Sequence, residues 1–167
     1  MECTQEMQIF GGTQKVFRHQ SDSTKTDMEF AIFDPKPAVS SVKPMVLYLS
    51  GLTCTWANVA EKAGAQRYAA EHGLVLLMPD TSPRGLNLPG EDDEYDFGSG
   101  AGFYVNATED PWSENYHMFD YVTKELIGIA ESEFSADKNR IGVMGHSMGG
   151  HGALISALKC PNIFFSC

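Results

Sequence analysis

Three short apolar runs constrain this chain more than anything else in it. Residues 45–49 (MVLYL) and 74–78 (LVLLM) are apolar throughout, and residues 140–144 (RIGVM) nearly so. A strand with one wet face alternates apolar and polar side chains. An unbroken run implies that both faces are covered, as in a parallel sheet packed between helices. The intervening segments fit that arrangement. Residues 59–72 predict a helix stopped by Gly73, and residues 111–134 predict another with Tyr121, Val122, Leu126 and Ile129 on one face. Residues 149–159 predict a third helix. Strands alternating with helices indicate parallel pairing through right-handed crossovers. The first third reads differently: residues 14–19 and 28–33 flank the polar stretch SDSTKTD and predict a hairpin-like antiparallel pair. Pro35, Pro37 and Pro44 are expected to punctuate a loop after it, and residues 84–110 show no period. The prediction is an α/β fold, a mostly parallel sheet with antiparallel first strands.

Composition narrows the function. The 167 residues are 43% hydrophobic and 20% charged, with no repeat or linker, which predicts a single globular domain over 1–167. A formal net charge of −10 argues against a nucleic-acid partner and offers no basic patch for an anionic membrane surface. No apolar run approaches the ~20 residues that span a bilayer. The opening MECTQEMQIFGG lacks the basic and apolar regions of a secretory leader. Cys3, Cys54, Cys160 and Cys167 have no C-x-x-C spacing, which fits reduced thiols and a cytoplasmic setting.

The third apolar run leads into MGHSMGGHGAL, whose centre is G-x-S-x-G: Gly145, His146, Ser147, Met148, Gly149. A strand, this pentapeptide and then a helix form the setting of a nucleophile elbow, in which a strained turn presents the serine hydroxyl. The helix N-terminus aims free N–H groups at an oxyanion formed on attack. A Gly-rich turn with a helix-capping serine is the alternative. A second oxyanion donor is expected from the loop after residues 45–49, SGLTCT, with the Leu52 N–H paired to that of Met148 and Gly51 allowing close backbone approach.

Five stretches together carry a family resemblance: FGGTQKVF, LSGLTCT, EHGLVLLMPDTSPRG, GAGFYVNATEDPW and MGHSMGGHGAL. In this order, over almost the whole chain, they resemble the S-formylglutathione hydrolase (esterase D) family. The resemblance implies an α/β-hydrolase fold and a cytoplasmic serine thioesterase that hydrolyses S-formylglutathione to glutathione and formate in formaldehyde detoxification. It implies Ser147 as nucleophile, Leu52 and Met148 as oxyanion donors, no metal or organic cofactor, and a possible homodimer. Cys54 would account for sensitivity to thiol reagents, against the alternative of a small buried hydrophobe.

The rest of the triad is expected to be absent from these residues. In this fold the acid and histidine follow the serine in the chain. The 20 residues after Ser147 hold no Asp or Glu, and their only histidine is His151, expected to pack within the elbow helix. His146 belongs to the elbow, while His19, His72 and His117 precede it. Asp80, at a strand end, reads as a turn residue. The domain is therefore expected to be an incomplete α/β-hydrolase, lacking the last strands and the triad Asp and His. The elbow strand is expected to be an exposed apolar edge. Two other readings stand beside the thioesterase: a catalytically impaired fragment, and a general carboxylesterase or acyltransferase acting on short acyl esters. The acidic loop at residues 90–96 is expected to be solvated, and Phe103, Tyr104 and Trp112 to pack rather than bind.

Overall fold

The structure is a computed structural model and describes residues 1–36 and 42–167. Seven strands form one sheet: β1 (Glu2–Ile9), β2 (Gly12–Gln20), β3 (Asp27–Pro35), β4 (Lys43–Leu49), β5 (Val75–Pro79), β6 (Ala136–Gly145) and β7 (Phe164–Ser166). Their order is β1-β2-β3-β5-β4-β6-β7. The first three pair as antiparallel neighbours, β3 runs antiparallel to β5, and β5, β4, β6 and β7 are mutually parallel. The fold is thus the expected α/β sheet with an antiparallel start.

Side-chain alternation divides the sheet into two faces. On one, Phe30, Ile32, Met45, Leu47, Leu77, Ile141 and Val143 pack beneath the helical segment at 118–134 and α5 (Met148–Lys159). On the other, Ala31, Phe33, Leu76 and Met78 pack beneath α1 (Trp56–Lys62) and α2 (Ala65–His72). Each central strand feeds both cores, which is why its sequence shows no polar face.

Several expectations need correction. β1 went unpredicted because ECTQEMQI is exposed along almost its whole length and so carries no buried alternation. The helix predicted at 59–72 is two helices, because Gly64 adopts a left-handed conformation that a right-handed helix cannot pass through. The helix predicted at 111–134 opens with a 3₁₀ turn (Trp112–Glu114). It becomes helical only at α3 (Met118–Asp120), then passes through a π-helical turn (Tyr121–Glu125) into α4 (Leu126–Phe134). Pro35 ends β3 and Pro44 lies inside β4 rather than in a loop, while Pro37 falls outside the described residues. Finally, β6 is not the sheet edge. The chain turns after α5, with the N–H groups of Ile163 and Phe164 donating to the Cys160 carbonyl, and Phe164 drops into the core. β7 then pairs with β6 through Ile141–Phe164 and Gly142–Ser166, so the edge is three residues of β7.

Candidate functional site

β6 ends at Gly145 and α5 begins at Met148, leaving His146 and Ser147 to make the turn. Ser147 sits at φ 55°, ψ −120°, a region that costs a non-glycine residue about 1–3 kcal/mol. Its neighbours enforce it. The His146 N–H donates to the Leu49 carbonyl (3.1 Å), and those of Gly149 and His151 donate to the carbonyls of His146 and Ser147. Gly149 lies so close to β4 that a side chain there would collide with the Leu49 carbonyl. Although Ser147 occupies the cap position of α5, its side chain makes no capping hydrogen bond. The hydroxyl is exposed, which disfavours the capping alternative.

The loop after β4 faces this turn. A Cβ built on Gly51 would sit 3.3 Å from the Ser147 Cβ, so only glycine lets the two backbones approach without strain. Among the described residues, neither the Leu52 nor the Met148 N–H donates a hydrogen bond. Two unsatisfied backbone donors next to an exposed serine are suited to hold a developing negative charge.

Three braces fix the loop that carries Leu52. The Tyr104 hydroxyl donates to the Ser50 carbonyl (2.9 Å), and its ring packs over Gly152 of α5. The Thr53 N–H donates to the Gly100 carbonyl (3.0 Å), and Arg84 Nη2 donates to the Cys54 carbonyl (3.0 Å). Burial pushes the Tyr104 phenol well above its ordinary range, so it remains a neutral donor. Burial also disfavours the Arg84 charge, but hydrogen bonds and the charge of Asp80 outweigh it and hold the guanidinium above its usual range. Tyr104 therefore touches both halves of the arrangement, the Leu52 loop and the serine helix. The sequence places it in a segment without periodicity, and no local pattern announces such a role.

No acid or base reaches the serine among the described residues. His146 and His151 are exposed, the latter edge-on to Phe103 at 6.4 Å rather than packed inside its helix as expected. His19 is buried on β2, with Nε2 3.1 Å from the Tyr121 hydroxyl and Nδ1 3.7 Å from Glu125. His117 Nε2 donates to the Ser113 carbonyl, and His72 closes α2. Asp80 is engaged by Arg84 and accepts the Thr81 N–H, in keeping with its turn reading. Cys54 is half-buried, not a core residue, and the four cysteines are free thiols. Trp112 packs against Phe97 and Tyr116, and Phe103 is exposed. The acidic loop is not wholly solvated, since Glu91 is buried and accepts from the Tyr116 hydroxyl. No group of three or more His, Cys, Asp or Glu side chains among the described residues could hold a metal ion. No helix there is long and apolar enough to cross a membrane.

The chain is 57% identical to the S-formylglutathione hydrolase of Rattus norvegicus, over 94% of its own length and 56% of the relative's. It is 50% identical to that of Paracoccus denitrificans, over 99% of this chain and 59% of the other. The solved S-formylglutathione hydrolase of Agrobacterium tumefaciens superposes with a TM-score of 0.96 at 51% identity, covering all of this chain and 60% of that one. The chain thus spans less than two-thirds of the length of each relative, matching their N-terminal part. A family model described as "Esterase: Putative esterase" matches residues 21–167. With a match over that span and a strained serine at its strand-to-helix turn, the chain belongs to this esterase family.

Proposed function

We propose that this chain carries the acyl-transfer machinery of a serine thioesterase acting on S-formylglutathione. The Ser147 hydroxyl attacks the formyl carbonyl, the Leu52 and Met148 N–H groups hold the oxyanion, and the C–S bond breaks to release glutathione. Water then frees formate from the serine. The observation that carries the reading is the strained, uncapped Ser147 facing two unpaired amides across Gly51. The 57% identity to a protein of that activity supports the choice of thioester. Both chemical steps need a base, and in this reading neither it nor its carboxylate partner lies in residues 1–167. The chain alone is therefore a slow catalyst, since loss of the base costs about 10⁴–10⁶ in rate while an oxyanion hole retains part of the acceleration. The same reading includes a cytoplasmic setting, a part in formaldehyde disposal, homodimer formation, no cofactor, and Cys54 as the point where thiol reagents act on the Leu52 loop.

A fluorophosphonate probe and S-formylglutathione test this together. The expectation is slow labelling of Ser147, none in Ser147→Ala, and feeble turnover. Turnover within about tenfold of a full-length relative, lost in Ser147→Ala, would show that a base is present and sink the slow-catalyst reading. Faster turnover of simple carboxylic esters than of the thioester would favour the general carboxylesterase.

A further inference from the structure

A cleft of about 290 Å³ opens beside the Leu52 loop, lined by Arg18, Asp27, Met28, Glu29, Asp80, Ser82 and Arg84. It lies at the start of β3 and the end of β5, where the Asp80 N–H donates to the Glu29 carbonyl. This is the carboxyl end of the parallel strands, where open α/β sheets bind ligands, and the end on which Ser147 is presented. Its charges are only partly spent. Arg18 uses Nε and Nη2 on Glu29, and Arg84 uses Nε and Nη2 on Asp80, Thr81 and the Cys54 carbonyl. Among the described residues, Nη1 of each guanidinium has no partner, and the exposed Asp27 carboxylate accepts no hydrogen bond. The cleft thus offers two guanidinium edges and one carboxylate.

Glutathione is the reverse pattern, with two carboxylates and one ammonium. The distances also suit it. Arg84 Nη2 lies 3.0 Å from the Cys54 carbonyl. Two residues of chain add at most about 7 Å between Cys54 and the Leu52 amide. By bond lengths, the glycyl carboxylate of glutathione reaches about 7 Å from its sulfur, and the γ-glutamyl end a few ångströms further. A thioester carbonyl held at Leu52 therefore places a carboxylate within reach of Arg84.

We propose that the cleft between Arg18 and Arg84 seats the peptide part of the thioester's leaving group, its carboxylates on the two free guanidinium edges and its ammonium on Asp27. This rests on the S-formylglutathione reading and extends it to named residues. The lining side chains sum to one negative charge, as does the ligand, so recognition is by pattern rather than net charge. The affinity for free glutathione is accordingly weak, in the millimolar range, about 10⁻³–10⁻² M.

Reduced glutathione titrated into isotope-labelled chain, read by NMR at the arginine Nε–H and backbone amide signals, tests the cleft. The expected result is shifts at Arg18, Asp27 and Arg84, abolished when glutathione dimethyl ester is the probe. Arg18→Gln and Asp27→Asn, both at exposed positions, should each weaken binding about threefold or more. Arg84→Lys, which keeps the charge paired with Asp80 but loses the planar fork, should do the same. Shifts confined to another surface, or equal affinity in all three variants, would overturn the cleft and leave the substrate reading intact. No shift anywhere at about 20 mM, together with no formyl transfer from S-formylglutathione to Ser147 by mass spectrometry, would remove the substrate reading and the cleft with it.

Discussion

The serine turn and the far edge of the sheet are adjacent in the molecule and opposite in finish. Around Ser147 every supporting group is engaged: Gly149 lies against Leu49, Tyr104 links the Leu52 loop to α5, and Arg84 ties the same loop to Asp80. Toward that edge the structure is open. Leu158 on the outer face of α5 is 80% exposed, Phe165 of β7 is 59% exposed, and Met144 of β6 is 48% exposed. Met144 borders an apolar groove that also includes Val46, Tyr68 and Leu74, beside α2. The roles proposed for Ser147, Leu52 and Met148 draw only on β4, β6, α5 and the loops that brace them.

Substitutions on the two sides should behave differently. The largest effect is expected for Gly149→Val, whose side chain has no space beside the Leu49 carbonyl. It should cost about 3 kcal/mol or more in denaturant unfolding and abolish probe labelling. A near-native midpoint would mean the turn is not held as tightly as the contact implies. Tyr104→Phe keeps the ring over Gly152 but leaves the Ser50 carbonyl without its donor, which should cost about 1–2 kcal/mol and slow labelling of Ser147. Unchanged labelling would show that the Leu52 loop holds its position without the phenol.

The third test compares both regions with a buried pair far from either. Burial lowers the His19 pKa below its ordinary value, against the pull of Glu125. The unfolded chain therefore binds a proton at a higher pH than the folded one. Stability from this site is complete above about pH 6.5 and falls as pH drops through that value toward the folded pKa. Thermal melts from pH 7.5 to 5.5 should show the loss, and His19→Gln should flatten it. A slope unchanged in that variant would assign the dependence to other groups. The smallest effect belongs to the open side: Leu158→Gln should shift stability by no more than about 0.5 kcal/mol. It should also reduce self-association in sedimentation, and a larger loss of stability would mean that Leu158 is covered in solution.

How much of this could be read from the residues depends on how local each cause is. The runs at 45–49 and 74–78 announce β4 and β5 because burial on both faces leaves an unbroken apolar signature. The G-x-S-x-G stretch announces its turn because the glycines and the serine lie within five residues of one another. β1 left no signature, since its side chains face water, and neither did the polar start of β6 at residues 137–139, where Lys138 and Asn139 are exposed. The brace from Tyr104 to Ser50 and the pairing of Arg84 with Cys54 join residues 54 and 30 positions apart, so sequence spacing carries no trace of them. The place of SGLTCT directly after the run at 45–49 marks the Leu52 loop, but the groups that hold it appear only in three dimensions.

The pairing of β4 has a further consequence, for the order of folding. Val46 pairs on one side with Leu76 and on the other with Gly142, so the second partner arrives 66 residues after the first (142 − 76). As the chain leaves the ribosome, β1 to β5 can assemble from near neighbours while β4 keeps one edge unpaired. The Leu49 carbonyl waits with it, because its partners His146 and Gly149 have yet to be made. The strain at Ser147 thus arises only after most of the sheet already exists to bear it, and the apolar edge of β4 is the surface at greatest risk of mispairing until then.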